Sequence, residues 1–127
     1  MEVREELRYS KEHEWVTMED GVMTLGITDY AQDSLGDIVY VELPEVGMII
    51  QADEALGNIE SVKAVSELFC PIAGKVIEIN KELEDQPELV NSEPYEGGWI
   101  AKLKVSPDEF EAAKLMDAEE YTEFTQS

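Results

Sequence analysis

The sequence predicts a mainly β fold, a flattened barrel or sandwich, with a short helix near residues 29–35 and further helices at the C-terminus. Most of the chain consists of short segments rich in β-branched and aromatic residues, separated by turn residues such as Pro, Gly and Asn. A weak internal repeat relates residues 36–42 to residues 74–80, and two such β-units facing each other would form this core with pseudo-twofold symmetry. Chance similarity between two short segments is the alternative. After Val105 the pattern changes to a helical period.

The predicted strands are 14–18, 22–25, 37–43, 55–60, 65–69, 75–80 and 99–105. The first two flank Asp20-Gly21, a pair that favours a tight hairpin because both positions tolerate positive φ. Thr28 is placed to cap the helix over 29–35, and Gly36 can adopt the left-handed conformation that ends it. The N-terminal half therefore predicts a hairpin, one helix and a third strand.

Two helices are predicted at the C-terminus. The run Ser106-Pro107-Asp108-Glu109 supplies a cap, a proline at the first helical position and a capping-box glutamate. This helix should extend to about Met116, and a second helix should begin at Asp117. In the second helix Tyr121 and Phe124 share one face, which we expect to cover one side of the β-core.

The charge balance restricts the classes of partner. Thirty acidic residues against nine basic ones give a net charge of −21. This disfavours nucleic acid and anionic membranes, because both require clustered Lys and Arg. It favours protein partners with basic docking surfaces and salt-sensitive association. An acidic surface that only maintains solubility is an equally good explanation.

Length and hydropathy favour a single domain outside membranes. At 127 residues the chain can bury a core without metals or disulfides. No apolar run approaches the ~18 residues that span a bilayer, and residues 1–6 lack the apolar stretch of a secretory signal. We therefore expect a protein of the bacterial cytoplasm. A processed protein of the mitochondrial matrix is the alternative.

Residues typical of catalysis are scarce. The single cysteine, Cys70, excludes an internal disulfide, and the single histidine, His13, excludes the usual zinc patterns. The phosphate-binding, dinucleotide-binding and nucleophile-elbow motifs are absent from the sequence. We expect no catalytic residue and no metal, a structural His13 hydrogen-bonded near Trp15, and an inert, packed Cys70. A small enzyme that uses His13 with Cys70 is a weakly supported alternative.

Lys63 is the only Lys or Arg between Glu12 and Gly74. It lies between two predicted strands, at or near a turn that contains no Gly, Pro, Asn or Asp. Where the usual turn residues are missing, a functional site is a reasonable hypothesis. From pattern alone, however, a solvated lysine making weak ion pairs is the more common interpretation. An acidic interaction module with an unmodified lysine would follow from that interpretation.

Segments on both sides of Lys63 identify a family. They are Tyr9-Ser10-x-x-His13-Glu14-Trp15, Gly26-Ile27-Thr28-x-Tyr30-Ala31-Gln32, Leu35-Gly36-Asp37-Ile38-Val39-Tyr40-Val41-Glu42-Leu43-Pro44, Glu60-Ser61-Val62-Lys63-Ala64, Pro71-Ile72-x-Gly74 and Asn91-Ser92-x-Pro94-Tyr95-x-x-Gly98-Trp99. From about Leu7 to Phe124 they resemble the H protein of the glycine cleavage system, and residues 60–64 resemble its lipoyl-attachment motif.

Neighbouring families fit less well. Biotin carriers typically place methionine on both sides of the modified lysine, whereas Lys63 lies between Val62 and Ala64. Lipoyl domains of the 2-oxoacid dehydrogenase complexes usually read Asp-Lys-Ala and lack both the His13-Glu14-Trp15 segment and the C-terminal helices. The resemblance to the H protein is therefore the closer one.

The resemblance implies a single lipoyl-carrier domain over residues 1–127, with a β core over about 7–105 and a helical segment over about 106–126. It implies lipoate joined to Lys63 by an amide, and a non-catalytic carrier that shuttles the aminomethyl group of glycine. The implied partners are a pyridoxal-phosphate glycine decarboxylase, a tetrahydrofolate-dependent aminomethyltransferase, a flavin-dependent dihydrolipoyl dehydrogenase, and a lipoate ligase or transferase. We expect a monomer. The alternative is an H-like protein that relays lipoate to other lipoyl-dependent enzymes.

Three carboxylates are implied with less support. Glu14 and Glu67 match acidic positions that could meet the amine of the loaded arm in a surface cleft, and Glu60 could assist recognition. Ordinary surface carboxylates are the alternative for Glu14 and Glu67. A serine sometimes found two residues before Glu14 is here Glu12, so that part of the cleft contact does not carry over.

Overall fold

The computed structural model describes residues 1–126. Its strands are β1 (Arg8–Tyr9), β2 (Glu14–Glu19), β3 (Val22–Ile27), β4 (Ile38–Val41), β5 (Ile49–Ile50), β6 (Glu54–Ser61), β7 (Val65–Cys70), β8 (Gly74–Ile79) and β9 (Ala101–Val105). Its helices are α1 (Asp29–Leu35), α2 (Glu82–Asp85), α3 (Leu89–Ser92), α4 (Pro107–Ala112) and α5 (Ala118–Gln126). The predicted mainly β class is confirmed. The last residue of the predicted domain, Ser127, lies outside the described residues.

The strands form two antiparallel sheets that enclose the larger of two apolar clusters, and the smaller cluster contains Tyr9, Trp15 and Tyr121. The larger sheet has the order β1-β2-β3-β9-β8-β5 and the smaller has the order β4-β6-β7. Core residues come from both sheets, among them Leu25 and Leu103 of the large sheet and Ile59 and Leu68 of the small one. The sheets do not close on each other, so the sandwich describes the fold and the barrel does not. The repeat segments 36–42 and 74–80 supply β4 and β8, one in each sheet.

Local signals produce the elements as the sequence predicts. Asp20 and Gly21 have φ of 52° and 77°, so both occupy the left-handed region that the tight β2–β3 hairpin requires. The Thr28 side chain accepts a hydrogen bond from the Ala31 amide at 3.1 Å and caps α1. Gly36, with φ of 82°, ends the same helix. The predicted hairpin and first helix are confirmed.

The C-terminal segment differs from the prediction at one point. Helix α4 ends at Ala112 and not near Met116. The Met116 backbone instead pairs with Tyr9, each amide donating to the other's carbonyl at 2.8–2.9 Å. In α5, Tyr121 is fully buried and stacks on Tyr9 with 4.5 Å between ring centroids. Extended pairing with β1 therefore interrupts the helix, and α5 covers one side of the β-core as predicted.

Four short elements were not predicted. β1 and β5 have two residues each, and α2 and α3 have four. Neither short helix has a side-chain hydrogen bond at its cap. Elements of this size carry too few residues to display a period, so the sequence offers no local signal for them. Within residues 1–126, no helix is both long and apolar enough to cross a membrane.

Candidate functional site

Lys63 lies in the turn that joins β6 to β7, and its side chain is exposed. The Ser61 hydroxyl accepts hydrogen bonds from the amides of Lys63 at 3.3 Å and Ala64 at 3.0 Å. The Ser61 amide donates to the Ala64 carbonyl at 2.8 Å. None of the residues at this turn has a positive φ, so it needs no Gly or Asn. Ser61 thus supplies the contacts that the usual turn residues would otherwise provide.

The turn over residues 62–64, which we call the lysine turn, contacts the loop between α1 and β4. The Val62 amide donates to the Asp37 carbonyl at 3.0 Å. The stem of Lys63 passes close to Gly36, since a Cβ built on Gly36 would lie 3.5 Å from Lys63 Cε. The stem of Lys63 therefore lies against the loop that follows α1, at a distance where a Cβ on residue 36 would make an ordinary van der Waals contact.

Asn91, at the third position of α3, holds that supporting loop. Its Nδ2 donates to Gln32 Oε1 and to the Gly36 carbonyl, each at 2.9 Å, and its Oδ1 accepts from the Ile38 amide at 2.8 Å. One side chain thus joins α3 to both ends of the α1–β4 loop. The sequence predicts neither the contacts of Asn91 nor the contact of Gly36 with the lysine stem. Both residues lie in segments that resemble the family, and this was the available signal.

The carboxylates predicted beside Lys63 do not form ion pairs with it. The two ion pairs found within residues 1–126 both belong to Arg4. Glu60 lies opposite Val65 in the β6–β7 pairing, and Glu67 lies opposite Asn58 and is exposed. Lys63 therefore makes none of the weak ion pairs that are common for solvated surface lysines, and its ammonium faces solvent.

Glu14 is a buried carboxyl and not an ordinary surface group. Only 2% of its surface is exposed. Its Oε1 accepts from the Ser10 hydroxyl at 2.6 Å, and its Oε2 accepts from the Phe69 amide at 3.4 Å. Burial, partly offset by these hydrogen bonds, raises the pKa of Glu14 to about 7. Glu14 therefore connects β2 of the large sheet to the edge strand β7 of the small one, and its charge changes near neutral pH.

Lys63 precedes β7, and the Glu14 carboxyl contacts the other end of that strand at Phe69. Phe69 is five residues beyond Ala64, a span of roughly 17 Å at about 3.3 Å per strand residue. Glu67 lies between them on the same strand. The three groups are therefore not in contact, but they are arranged along one edge of the small sheet.

His13 and Cys70 are not brought together. His13 Nδ1 lies 2.8 Å from the Tyr121 hydroxyl, and its ring stacks on Tyr30 at 4.7 Å. Cys70 is fully buried, its thiol donates to the Ile72 carbonyl at 3.0 Å, and burial raises its pKa to about 11. The hydrogen-bond partner of His13 is Tyr121, which belongs to the same buried cluster as Trp15, so these contacts agree with the predicted structural role. The thiol is inert packing.

No residues form a metal site in the part of the chain that the structure describes, since no group of three or more His, Cys, Asp or Glu side chains converges there. The site is therefore an exposed primary amine on a fixed turn, with a buried carboxyl farther along the same strand. Such an arrangement can display a covalently attached group, but it places no nucleophile beside a base.

A family model described as glycine cleavage H-protein matches residues 7–127. The chain belongs to this family. It is 57% identical over 125 residues to the glycine cleavage system H protein of Bacillus mycoides (strain KBAB4), and the match covers 98% of both chains. The corresponding proteins of Bacillus cereus (strain AH820) and Bacillus anthracis (strain A0248) are 56% identical over the same length.

A solved structure agrees with this membership. The crystal structure of a glycine cleavage system H protein from Mycobacterium marinum matches with a TM-score of 0.89 at 33% identity, covering 98% of this chain and all of that one. Members of the family are lipoyl carriers of the glycine cleavage system. The chain is accordingly a carrier subunit of that system and not a catalytic enzyme. The predicted family and carrier function are confirmed.

Proposed function

We propose that this carrier bears its lipoyl group on Lys63 and shuttles the aminomethyl group of glycine between the enzymes of the system. The observation that carries the proposal is the Lys63 amine at the exposed tip of the β6–β7 turn, where it makes no ion pair with any residue from 1 to 126. An amine on a flexible stem at such a tip can enter another enzyme's active site without rearrangement of the fold.

The attachment is an amide. The Lys63 nitrogen attacks the acyl carbon of an activated lipoate, the carbon–nitrogen bond forms as the bond to the activating group breaks, and the ammonium loses two protons overall. When bound, the lipoyl group supplies a cyclic disulfide that opens to hold an aminomethyl group on one sulfur and is later reoxidised. Lys63 itself performs no later step and acts as a tether.

The proposed partners are four enzymes. A lipoate ligase or transferase loads Lys63. Glycine decarboxylase with pyridoxal phosphate, aminomethyltransferase with tetrahydrofolate, and dihydrolipoyl dehydrogenase with a flavin then act on the arm in turn. A tether raises the effective concentration of the attached group at each of their active sites. We expect one carrier domain over residues 1–127, acting as a monomer in the bacterial cytoplasm, in keeping with its Bacillus relatives.

Glu67 and Glu14 are proposed to meet the amine of the loaded arm, because Glu67 lies on β7 beyond Lys63 and the Glu14 carboxyl reaches the far end of that strand from β2. A carboxylate beside that amine would form a charge-assisted hydrogen bond and keep the labile adduct from water. Glu60, at the end of β6, is proposed to assist recognition by the loading enzyme. Loaded Glu67→Gln protein should lose its aminomethyl group faster than wild type when followed by intact mass, and an equal rate would contradict the assignment.

Mass spectrometry of the intact protein tests the attachment site. Protein purified from a lipoate-replete native host should carry one lipoyl adduct. The adduct should be absent in Lys63→Arg, because a guanidinium is not acylated, and should persist in Lys75→Arg, which replaces a lysine of β8. Unmodified wild-type protein, or an adduct that remains in Lys63→Arg, would contradict the proposal.

Reconstitution separates the carrier from the relay alternative. Lipoylated protein combined with the three purified enzymes should support glycine-dependent reduction of the electron acceptor, whereas Lys63→Arg protein should not. If the lipoylated chain fails here but donates lipoate to other lipoyl-dependent enzymes, the relay function replaces the glycine-cleavage one.

A further inference from the structure

Four exposed apolar side chains lie around Lys63. The exposed fractions are 69% for Val62, 65% for Val65, 52% for Val39 and 50% for Tyr40. We call these four residues the lysine-side patch. Single exposed apolar residues are common on protein surfaces, but a contiguous group beside a functional residue marks an interaction site.

Strand pairing shows that the patch is contiguous. Tyr40 of β4 lies opposite Glu60, and Glu60 lies opposite Val65. Residues directly opposite on antiparallel strands have Cβ atoms about 4.5–5.5 Å apart and point to the same face. Tyr40 and Val65 therefore flank Glu60 in one row on the outer face of the small sheet.

The remaining two members extend the row toward the lysine. Val62 directly precedes Lys63 in the turn, and its amide is fixed to the Asp37 carbonyl. Val39 occupies the point where the β4–β6 register shifts, so that Val39 and Tyr40 are both exposed. The patch therefore extends from the outer face of the small sheet to the base of the Lys63 side chain.

Acidic residues border the patch. Asp37, Glu42 and Glu67 are exposed, and Glu60 is half-buried at its centre. Between Glu12 and Gly74 the only Lys or Arg is Lys63 itself. Apolar side chains bordered by charged ones are common at protein interfaces, and here Glu60 adds a carboxylate between Tyr40 and Val65. The charge of the rim requires a partner whose facing surface carries Lys and Arg.

We propose that the lysine-side patch is the docking surface of the enzyme that acylates Lys63, and that this enzyme presents apolar side chains with basic residues at the rim and opposite Glu60. The inference rests on the proposed attachment at Lys63. An acylating enzyme must bring its activated acyl carbon within bonding distance of Lys63 Nζ, so its surface covers the base of this side chain. The enzymes that act later meet sulfur atoms at the far end of the arm and can bind without covering the patch.

The chain offers a matched control surface. Ile49 and Ile77 are 70% and 41% exposed. They belong to β5 and β8 of the large sheet, whereas Tyr40, Val62 and Val65 belong to the small sheet or its turn. Replacing Ile49 or Ile77 removes exposed apolar surface from the sheet that does not carry Lys63.

The experiment measures loading of the full-length unmodified protein by a purified bacterial lipoate–protein ligase with lipoate and ATP. Initial rates of Tyr40→Ser and Val65→Ser, read by intact mass, should show a fall in kcat/KM of about tenfold, carried by KM, as for loss of an interface anchor. Ile49→Ser and Ile77→Ser should stay within about twofold of wild type. Thermal unfolding of every variant establishes that the fold is retained.

Each other outcome overturns the inference. Wild-type kinetics in Tyr40→Ser and Val65→Ser would show that the ligase docks elsewhere, and an equal loss in the control variants would show a non-specific effect. A loss of glycine-dependent reduction by the fully lipoylated variants as large as the loss in loading would assign the patch to the later enzymes. In all three cases wild type is still loaded on Lys63. Failure of the attachment proposal is distinguishable because wild type would then gain no adduct.

Discussion

At the scale of single residues, Glu14 links the packing of the two sheets to pH. Its carboxyl is almost fully buried between the Ser10 hydroxyl and the Phe69 amide, and its pKa rises from the ordinary 4.5 to about 7. Burial without a cationic partner favours the neutral form. The group is thus protonated in the folded state over a pH range in which it is ionised in the unfolded chain.

The replacement Glu14→Gln should remove one component of the pH dependence of stability. The folded state holds this proton more tightly than the unfolded chain does. The contribution of Glu14 to stability is therefore present below pH 4.5 and is lost as the pH rises through 4.5 to about 7. The difference amounts to roughly 3 kcal/mol. Urea unfolding at pH 5, 6, 7 and 8 should show a steeper decline for wild type than for the variant.

A control for this experiment is Glu119→Gln, which removes an exposed carboxylate from α5. It should retain the wild-type decline, because the loss of one surface charge leaves the titration of Glu14 unchanged. Parallel curves for wild type and Glu14→Gln would mean that Glu14 titrates alike in the folded and unfolded states.

At the scale of secondary-structure elements, the position of Lys63 depends on Asn91. The lysine turn is fixed to the α1–β4 loop by the Val62 amide, and that loop is fixed to α3 by three hydrogen bonds from one side chain. A buried backbone group that loses its partner costs about 1–3 kcal/mol. The short helix α3 therefore presents Asn91 to the loop and also buries Val90 in the core.

The variant Asn91→Ala should loosen the lysine turn. The Ile38 amide and the Gly36 carbonyl would lose their partner, so the free energy of unfolding should fall by roughly 2–4 kcal/mol. Hydrogen exchange at the Val62 amide should accelerate by more than at amides of the distant β2–β3 hairpin. Ser92→Ala is the matched control, since the Ser92 hydroxyl contacts only the Glu88 carbonyl of its own helix. Equal exchange rates at the Val62 amide in both variants would contradict the proposed link between Asn91 and the lysine turn.

At the scale of the whole molecule, the net charge of −21 acts on every association. A field of one sign steers a partner of opposite sign from a distance, and salt screens it over about 8–10 Å at physiological ionic strength. Steering raises the rate of encounter more than it slows dissociation. A carrier that must visit several enzymes in turn benefits from fast encounter and fast release.

Association with the loading enzyme should therefore slow as salt rises. Between 50 and 500 mM NaCl the association rate constant is expected to fall by about tenfold or more, while the dissociation rate constant changes less. Surface plasmon resonance with the immobilised ligase measures both constants. A neutral solute such as sucrose at matched osmolality is the control. An association rate independent of salt would assign the acidic surface to solubility alone.

The sequence by itself determined the features that depend on neighbouring residues. Asp20-Gly21 specifies the hairpin because both positions adopt positive φ, and Thr28 with Gly36 bounds α1 because capping acts within one turn. These signals lie within a few positions of the features they predict. Lys63 was proposed as the attachment site from residues 60–64 together with family motifs along the chain, because its local pattern alone favours a solvated lysine.

The tertiary structure alone decided what depends on distant partners. Glu14 is buried by contact with Phe69, 55 positions away, and His13 is bonded to Tyr121, 108 positions away. Met116 leaves the helical period because its backbone pairs with Tyr9. Burial and long-range pairing depend on which segments the fold brings together, and no local period encodes that. The surroundings of Lys63, which include the hydrogen bonds of Asn91 and the lysine-side patch, therefore depend on the folded structure and not on local sequence.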